Sequence, residues 1–158
     1  MENELNEATL KDHGRGLFMN YLIEIGGLVA AINYDAQNLK TWMKDNPAEV
    51  SLTLAPGRAF TRYEPLGVVA VIGAWNAPYS TTLKPLSAAI AAGNCVIVKP
   101  SEMSPNSSAV MKKLCDKYLD KDFIATFEGG PDVAIAVNNL PLDYLCFTGS
   151  TRVGKIVA

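Results

Sequence analysis

The sequence has little of what a metal centre, a disulfide framework or a histidine-based catalytic site requires. Its 158 residues include one histidine and three cysteines, and the cysteines do not fall at metal-ligand spacing. An odd number of scattered cysteines argues against structural disulfides and favours a reducing, intracellular setting. The sequence therefore predicts no bound metal and no disulfide.

A strong charge of one sign and a long uninterrupted apolar run are also missing. The formal net charge of −2 at pH 7 offers no attraction to nucleic acid or to an anionic membrane. The acidic start of the chain, MENELNEATLKD, is unlike a signal or transit peptide. The apolar stretch 17–32 is short for a membrane span and contains Glu24. We therefore expect a cytoplasmic protein without nucleic-acid partners; membrane attachment through a segment after Ala158 stays an open alternative.

Residues 1–63 predict an N-terminal helix followed by a short strand or hairpin. We expect residues 1–16 to be loosely docked. Apolar residues then recur at three- and four-residue steps, which place them on one helical face: Phe18, Leu22, Ile25, Val29, Ile32, Ala36, Leu39 and Met43. A packing helix is favoured over a coiled-coil helix. Gly26 and Gly27 either weaken this helix by about 1 kcal/mol each relative to alanine or let another helix approach closely.

The middle of the chain predicts β-structure. Apolar residues alternate with polar or small ones over 50–54, which favours a short exposed strand. The continuous apolar run 66–74 is typical of a strand buried on both faces. An alanine-rich helix at 79–92 and a second β-rich run at 95–98 follow. Strand, helix and strand with short joins form a βαβ unit.

The alternation continues to the last residue. We predict a helix at 106–118, a strand at 123–127, a short helix at 132–137, a strand at 144–147 and a helix from Arg152. This order favours a doubly wound, mostly parallel α/β domain. Ligands in such domains bind beyond the carboxyl ends of the strands, so functional residues are expected there.

Four motifs occur in order along this part of the chain and carry a family resemblance. They are EPLGVV at 64–69, AWNAP at 74–78, AAGN at 91–94 and VKPSE at 98–102. Together they resemble the aldehyde dehydrogenase superfamily. YLDKD at 118–122 and TGSTRVGK at 148–155 also fit its class 3, fatty-aldehyde-type branch. An ordered set of this kind is far more specific than a lone glycine loop.

The resemblance implies a truncated, Rossmann-like aldehyde dehydrogenase fold. Residues 64–158 would form part of the NAD(P)-binding domain, and residues 1–63 the N-terminal helix with an oligomerisation hairpin. The implied reaction oxidises an aldehyde substrate to a carboxylic acid, with NAD or NADP as the hydride acceptor. The complete enzyme would be a homodimer.

The family's nucleophilic cysteine and general-base glutamate belong after Ala158. Cys95, Cys115 and Cys146 are instead interpreted as small core residues. The chain alone is therefore expected to be inactive. A truncated non-catalytic module that binds nucleotide or another subunit is one alternative, and a superfamily reductase acting on an acyl phosphate or semialdehyde is the other.

The polar residues after the first strand are Trp75 and Asn76. On its position alone, Asn76 is an ordinary turn residue, although its amide could donate a hydrogen bond to a developing oxyanion. The resemblance implies the oxyanion role. It makes Trp75 a wall of the site on the cofactor side.

The second strand ends in Lys99, Ser101 and Glu102. Without the resemblance these residues form a solvated charged loop. With it, Lys99 and Glu102 bind the adenosine ribose of NAD(P), and Ser101 is counted with them as a cofactor contact. Glu102 would repel a 2′-phosphate, so NAD should bind at least as well as NADP, while Lys99 keeps NADP possible.

Later glycine-rich turns complete the expected cofactor site. Gly149 and Ser150 lie between a strand and a helix start, where backbone N–H groups favour a phosphate. The resemblance makes them pyrophosphate contacts and places Val153 near the adenine. Gly129 is expected in the adenine-side turn. Glu128 precedes the Gly-Ser-Thr motif, whereas the family's general base follows it, so Glu128 is given no catalytic role.

Overall fold

A computed structural model describes all 158 residues and contains one central parallel sheet. The strands are β3 (Val68–Ile72), β4 (Cys95–Lys99), β5 (Ile124–Thr126) and β6 (Tyr144–Phe147). Their order in the sheet is β5-β4-β3-β6. All three pairings are parallel. The predicted doubly wound α/β fold is confirmed.

Helices connect the strands. They are α4 (Pro78–Ala91), α5 (Pro105–Tyr118), α6 (Pro131–Asn138) and α7 (Thr151–Val157). The chain steps outward from β3 through β4 to β5, and α6 then returns it to the other side of β3. The strand order therefore reverses between β3 and β6. A doubly wound sheet opens a crevice at the carboxyl ends of the strands at such a point.

The core lies between the two central strands and the helices that follow them. Valines from β3 and β4 pack against side chains of α4 and α5, since short, β-branched strands buried on both faces need apolar helix faces to cover them. The main buried side chains are Val69, Val71, Val96, Val98, Tyr79, Leu83, Leu86, Met111 and Cys115.

The expectation that residues 1–16 are loosely docked is wrong. Residues Glu2–His13 form helix α1, which packs on α5 and ends at Gly14 in the left-handed conformation (φ 65°). Thr9 is fully buried, and the Tyr79 hydroxyl donates to the Leu5 carbonyl at 2.8 Å. These contacts join positions far apart in the sequence, so the local pattern did not reveal them.

Asp12 holds the start of α5. Its carboxylate accepts hydrogen bonds from the backbone N–H groups of Asn106 (3.2 Å) and Ser107 (2.7 Å) and from the Asn106 side chain (2.8 Å). These N–H groups have no partner within the helix. Partial burial raises the pKa of Asp12, but the hydrogen bonds from Asn106 and Ser107 outweigh burial and leave the pKa below its ordinary value.

We expect Asp12→Ala to lower the free energy of unfolding by about 1 kcal/mol at neutral pH, the usual effect of losing a helix cap. Because the folded-state pKa is lowered, the cap contributes above the ordinary value of 3.8 and is lost as the pH falls through the folded-state pKa. Denaturant unfolding should show that the free energy of unfolding of the variant lies further below that of the parent at pH 7 than at pH 3. Asp116→Ala, which removes an exposed pair with Lys112, is the control and should cost no more than about 0.5 kcal/mol. An equal deficit at both pH values would contradict the cap.

One continuous helix spans Leu17–Trp42. It consists of α2 (Leu17–Asn20), a π-helical turn (Tyr21–Ile25) and α3 (Gly26–Trp42). Its 26 residues meet the length and composition criteria for a membrane span. This is weak support for a span, because core helices of soluble proteins meet the same criteria.

The face predicted to pack is mostly wrong. Phe18, Leu22 and Val29 are exposed (76%, 61% and 50%), whereas Asn20 and Glu24 on the other face are fully buried. A π-turn inserts one residue into a helix and shifts the faces of the two halves relative to each other. The buried polar side chains also find partners that the apolar spacing could not indicate. At Gly27 an added Cβ would meet only the end of the Lys84 side chain of α4, with Nζ at 3.3 Å, so both interpretations of the glycines stay predictions.

A small antiparallel hairpin follows this helix. Its strands are β1 (Asn46–Ala48) and β2 (Ala59–Thr61), with every residue exposed. The strand predicted over 50–54 is wrong, because Leu52–Leu54 is a 3₁₀ turn. The Ser51 hydroxyl accepts from Thr53 N–H, which stabilises the turn instead of an extended strand.

Candidate functional site

The loop after β3 is fixed at its base by α4. Gly73 N–H continues the sheet by donating to Lys99 O (3.1 Å). Ala74 N–H donates to Thr81 Oγ1 (3.0 Å). Gly73 is buried against Thr82, and a Cβ at this glycine would lie 1.9 Å from Thr82 Oγ1. The chain therefore leaves the sheet in one defined direction before it reaches the polar residues.

Trp75 lies half exposed in this loop, 48% accessible. Its carbonyl accepts from the buried hydroxyl of Ser104 at 2.9 Å, and His13 Nε2 lies 3.2 Å from the same hydroxyl. The Ser104 hydroxyl has one proton and donates it to the Trp75 carbonyl, so in the contact with His13 it is Nε2–H that donates to the hydroxyl oxygen. The rings of His13 and Trp75 are 6.1 Å apart. His13, which sequence reasoning could not place, therefore supports the wall of the candidate site.

Asn76 is exposed, and its side-chain amide makes no hydrogen bond within the chain. Its carbonyl accepts from Arg15 Nη2 at 2.8 Å, while Arg15 Nη1 pairs with Glu24 Oε1 at 3.2 Å. The amide N–H groups of Asn76 are thus free to donate to a bound molecule.

Lys99 and Glu102 form an ion pair at the end of β4. Lys99 is almost fully buried, 2% exposed, and its ammonium donates to Glu102 Oε2 (2.8 Å) and to the Pro100 carbonyl (3.1 Å). Partial burial raises the pKa of Glu102, but the hydrogen bond and charge of Lys99 outweigh it and leave the pKa below its ordinary value. Glu102 is therefore ionised at neutral pH.

Ser101 is mostly enclosed in the turn. It is 8% exposed; its hydroxyl accepts from Met103 N–H (3.3 Å), and its carbonyl accepts from the Ser108 hydroxyl (2.7 Å). These contacts give Ser101 a role in shaping the Lys99–Glu102 turn. Its expected contact with a cofactor stays a prediction.

Two further turns end strands of the same sheet. Gly129, after β5, has φ 143°, and a Cβ there would lie 2.4 Å from Val133, so glycine is required. Gly149, after β6, packs on the ring of Phe147, 2.3 Å from where a Cβ would be. The Ser150 hydroxyl accepts from Val153 N–H (3.3 Å) and caps α7.

The register brings these turns to one edge of the sheet. Ile72 is level with both Lys99 and Phe147, and Val98 is level with Thr126. The residues after β3, β4, β5 and β6 therefore follow neighbouring strand ends, as the sequence predicts. A surface groove of about 730 Å³ lies elsewhere, beside β6, and is lined by residues between Asn138 and Ala158. Because that groove contains none of these polar residues, we do not assign it to the site.

Two of the three cysteines, Cys115 and Cys146, lack the character of nucleophiles. Burial raises the pKa of Cys115, partly offset by a hydrogen bond with Thr126, and burial also raises the pKa of Cys146. A raised pKa disfavours the reactive thiolate. No cluster of three or more His, Cys, Asp or Glu side chains is arranged to hold a metal ion.

Comparison with known proteins decides the family. The sequence model of the aldehyde dehydrogenase family matches residues 1–158. The chain belongs to the aldehyde dehydrogenase family. Mouse aldehyde dehydrogenase family 3 member B2 is 42% identical over 153 residues, which are 97% of this chain. The 4,4′-diaponeurosporen-aldehyde dehydrogenase of Staphylococcus aureus is 38% identical over 99% of the chain. The resemblance to the class 3 branch is confirmed.

Solved structures agree with the fold. The substrate-bound structure of Staphylococcus aureus AldH matches with a TM-score of 0.95 at 38% identity, over 99% of this chain and 34% of that one. The chain spans about a third of the length of the aldehyde dehydrogenases it matches, 32% of the mouse protein and 34% of the bacterial one.

Proposed function

We propose that this chain forms the cofactor-binding part of an NAD(P)-dependent aldehyde dehydrogenase that oxidises an aldehyde to a carboxylic acid. Residues 64–158 bind the cofactor, and Asn76 supplies a donor to the reacting oxygen. The main support is the ion pair between the buried Lys99 and the partly exposed Glu102, which ends the strand beside β3 in a chain matched throughout by the family. The nucleophile and general base come from sequence other than residues 1–158.

The donor set fits a ribose. Lys99 has three N–H donors and uses two of them, on Glu102 and Pro100. Glu102 uses one carboxylate oxygen for Lys99, and its side chain is 42% exposed. A ribose diol could accept from the remaining ammonium N–H and donate to the free carboxylate oxygen. When bound, the cofactor supplies the hydride acceptor.

The other predicted contacts are part of the same proposal. Trp75 forms the wall on the cofactor side. Gly149 and Ser150 bind the pyrophosphate, Val153 approaches the adenine, and Gly129 shapes the adenine-side turn. Tight packing at both glycines supports this, because neither turn could hold a Cβ without displacing a neighbour.

Glu102 should set the preference between NAD and NADP. Its lowered pKa keeps it ionised, and a carboxylate accepts from a 2′-hydroxyl but repels a 2′-phosphate. We expect Glu102→Gln to weaken NAD binding about tenfold, the usual effect of losing a hydrogen bond to a charged group. NADP binding should weaken less or improve. Isothermal titration with both nucleotides measures the ratio.

Asp116→Asn is the matched control, because it neutralises an exposed acid that is also paired with a lysine. It should leave both affinities unchanged. If Glu102→Gln had the same ratio of NAD affinity to NADP affinity as the parent chain, Glu102 would not contact the ribose.

The proposal also covers assembly and location. The β1–β2 hairpin is fully exposed and supports the homodimer expected from the resemblance. The three cysteines are free thiols, which supports a reducing compartment such as the cytoplasm.

Activity can be tested in a chimaera. Residues 1–158 would replace the matching segment of the Staphylococcus aureus 4,4′-diaponeurosporen-aldehyde dehydrogenase, 38% identical. We expect aldehyde-dependent NADH formation, monitored at the NADH absorbance. A folded chimaera that binds an aldehyde but neither binds NAD(P) nor turns over would contradict the proposal.

A further inference from the structure

We propose that Arg15, held by the buried carboxylate of Glu24, is a positioning residue for Asn76. It fixes the peptide carbonyl of Asn76 and thereby the direction of the Asn76 side-chain amide. The proposal rests on the oxyanion role of Asn76 proposed above and deepens it. No other side chain of the chain contacts the Asn76 carbonyl by a hydrogen bond.

Arg15 uses its two terminal nitrogens on different partners. Nη1 lies 3.2 Å from Glu24 Oε1, and Nη2 donates to the Asn76 carbonyl at 2.8 Å. The Arg15 side chain is 18% exposed and that of Glu24 is fully buried. A planar guanidinium held at one end by a buried carboxylate presents its other N–H groups in a fixed direction.

Glu24 is itself fixed by helix α4. Its second oxygen, Oε2, accepts from Ser80 N–H at 2.8 Å. Ser80 is in the first turn of α4, where N–H groups lack partners within the helix. The Ser80 hydroxyl also donates to the Ile23 carbonyl at 3.2 Å. Glu24 therefore ties Arg15 to the helix that begins directly after the Asn76 loop.

The π-helical turn explains how Glu24 reaches this position. Glu24 lies inside the turn Tyr21–Ile25. Such insertions re-aim side chains and occur often at functional sites. An apolar residue would ordinarily occupy a fully buried helix position. The charged side chain here has both oxygens bonded, one to Arg15 and one to Ser80.

Arg15 is the one side chain that holds the Asn76 carbonyl, whereas the next carbonyl, of Ala77, accepts from Thr81 N–H and Oγ1, both at 2.9 Å. Asn76 is exposed, and Ala77, the N-cap of α4, makes no side-chain cap. The preceding carbonyl, of Trp75, is held by Ser104. Because side-chain rotamers depend on the backbone angles of their own residue, fixing the Asn76 carbonyl restricts its amide as well. Loss of the Arg15 contact should leave the amide misdirected.

Arg15→Lys separates positioning from simple stability. A lysine keeps the positive charge beside Glu24 but loses the planar fork whose two terminal nitrogens bond Glu24 and Asn76 from fixed, separate positions. Arg62→Lys is the matched control, since Arg62 also forks onto a carboxylate, Asp45 at 2.7 and 2.8 Å. In the 158-residue chain, ¹⁵N order parameters at 75–77 should fall from about 0.85 to below about 0.6 in Arg15→Lys only. Unchanged order parameters at 75–77 in Arg15→Lys would overturn the positioning role of Arg15.

A double-mutant cycle in the chimaera tests the catalytic consequence. Arg15→Lys should lower kcat about tenfold or more, because small misplacements of a reacting group reduce rates strongly, and should leave the KM for NAD unchanged. In an Asn76→Ala background the same substitution should have no further effect on kcat. Additive losses would overturn the proposal, since Arg15 would then act through something other than Asn76.

The two proposals fail in different ways. If Asn76→Ala keeps the parent kcat, the oxyanion role fails, whatever Arg15 does. If Asn76→Ala lowers kcat but Arg15→Lys changes neither the loop nor kcat, the oxyanion role stands and the positioning role is wrong.

Discussion

Asn76→Ala should lower the kcat of the chimaera by about 10² to 10³, the effect typical of removing one oxyanion donor. The Asn76 amide is exposed and makes no bond within the chain, so its loss should leave the fold and the KM for NAD unchanged. Steady-state kinetics with varied aldehyde and varied NAD measure both parameters. A fall in kcat and kcat/KM together would indicate an interaction made mainly in the transition state.

Asn38→Ala is the control for this substitution. Asn38 bonds only the Tyr34 carbonyl of its own helix, at 2.8 Å. The substitution Asn38→Ala should leave kcat unchanged. An Asn76→Ala enzyme with a raised KM and a normal kcat would contradict the oxyanion role, because Asn76 would then bind ground state and transition state equally.

Gly73→Ala should be among the most destabilising single substitutions in the chain. A Cβ at this position would lie 1.9 Å from Thr82 Oγ1 and 3.0 Å from Thr82 Cβ. Both residues are buried, so strand β3 or helix α4 must shift. Overpacking of this kind costs about 3 kcal/mol. Urea denaturation of the variant and the parent measures the loss.

A second substitution shows whether the clash is the cause. Thr82 Oγ1 is buried without a hydrogen-bond partner, so Thr82→Ala removes the clashing atom without breaking a bond. The double variant should recover at least half of the lost free energy, a coupling expected for residues in contact. If the effects of Gly73→Ala and Thr82→Ala on the free energy of unfolding simply add, the clash with Thr82 does not cause the destabilisation.

Much of the sheet could be predicted because its signals are local. The apolar run at 66–74 contains β3, and the run at 95–98 is one residue shorter than β4. Glycine and proline mark the ends of the helices between them. The strand-end rule then brings Asn76, Lys99 and Gly149 to one edge of the sheet without any structural information.

The N-terminal region could not be predicted in the same way because its signals are long-range. Asp12 caps a helix that begins more than ninety positions later, at Pro105. Glu24 accepts from Ser80 N–H in the first turn of α4, 56 positions away. A buried carboxylate whose partner is distant in the sequence cannot be distinguished, from its neighbouring residues, from a carboxylate exposed to solvent. The π-turn at Tyr21–Ile25 also displaces the apolar face that ideal helical spacing predicts.

The same difference between local and long-range signals holds for the candidate site. Its exposed polar residues come from motifs and could be found in the sequence. Its supporting residues could not, since Arg15 lies 61 positions from Asn76, and His13 lies 91 positions from Ser104. Only the folded chain brings these side chains together, and ordinary turn and helix patterns carry no sign of it.

The most direct test of the central claim is the binding of NAD to the 158-residue chain, mapped by NMR chemical shifts. We predict that NAD shifts the backbone resonances of Lys99, Glu102, Gly129, Gly149 and Ser150 and leaves the β1–β2 hairpin unchanged. The contradicting result is no shift at about 1 mM NAD, the upper end of usual KM values, or shifts confined to residues outside the carboxyl edge of the sheet.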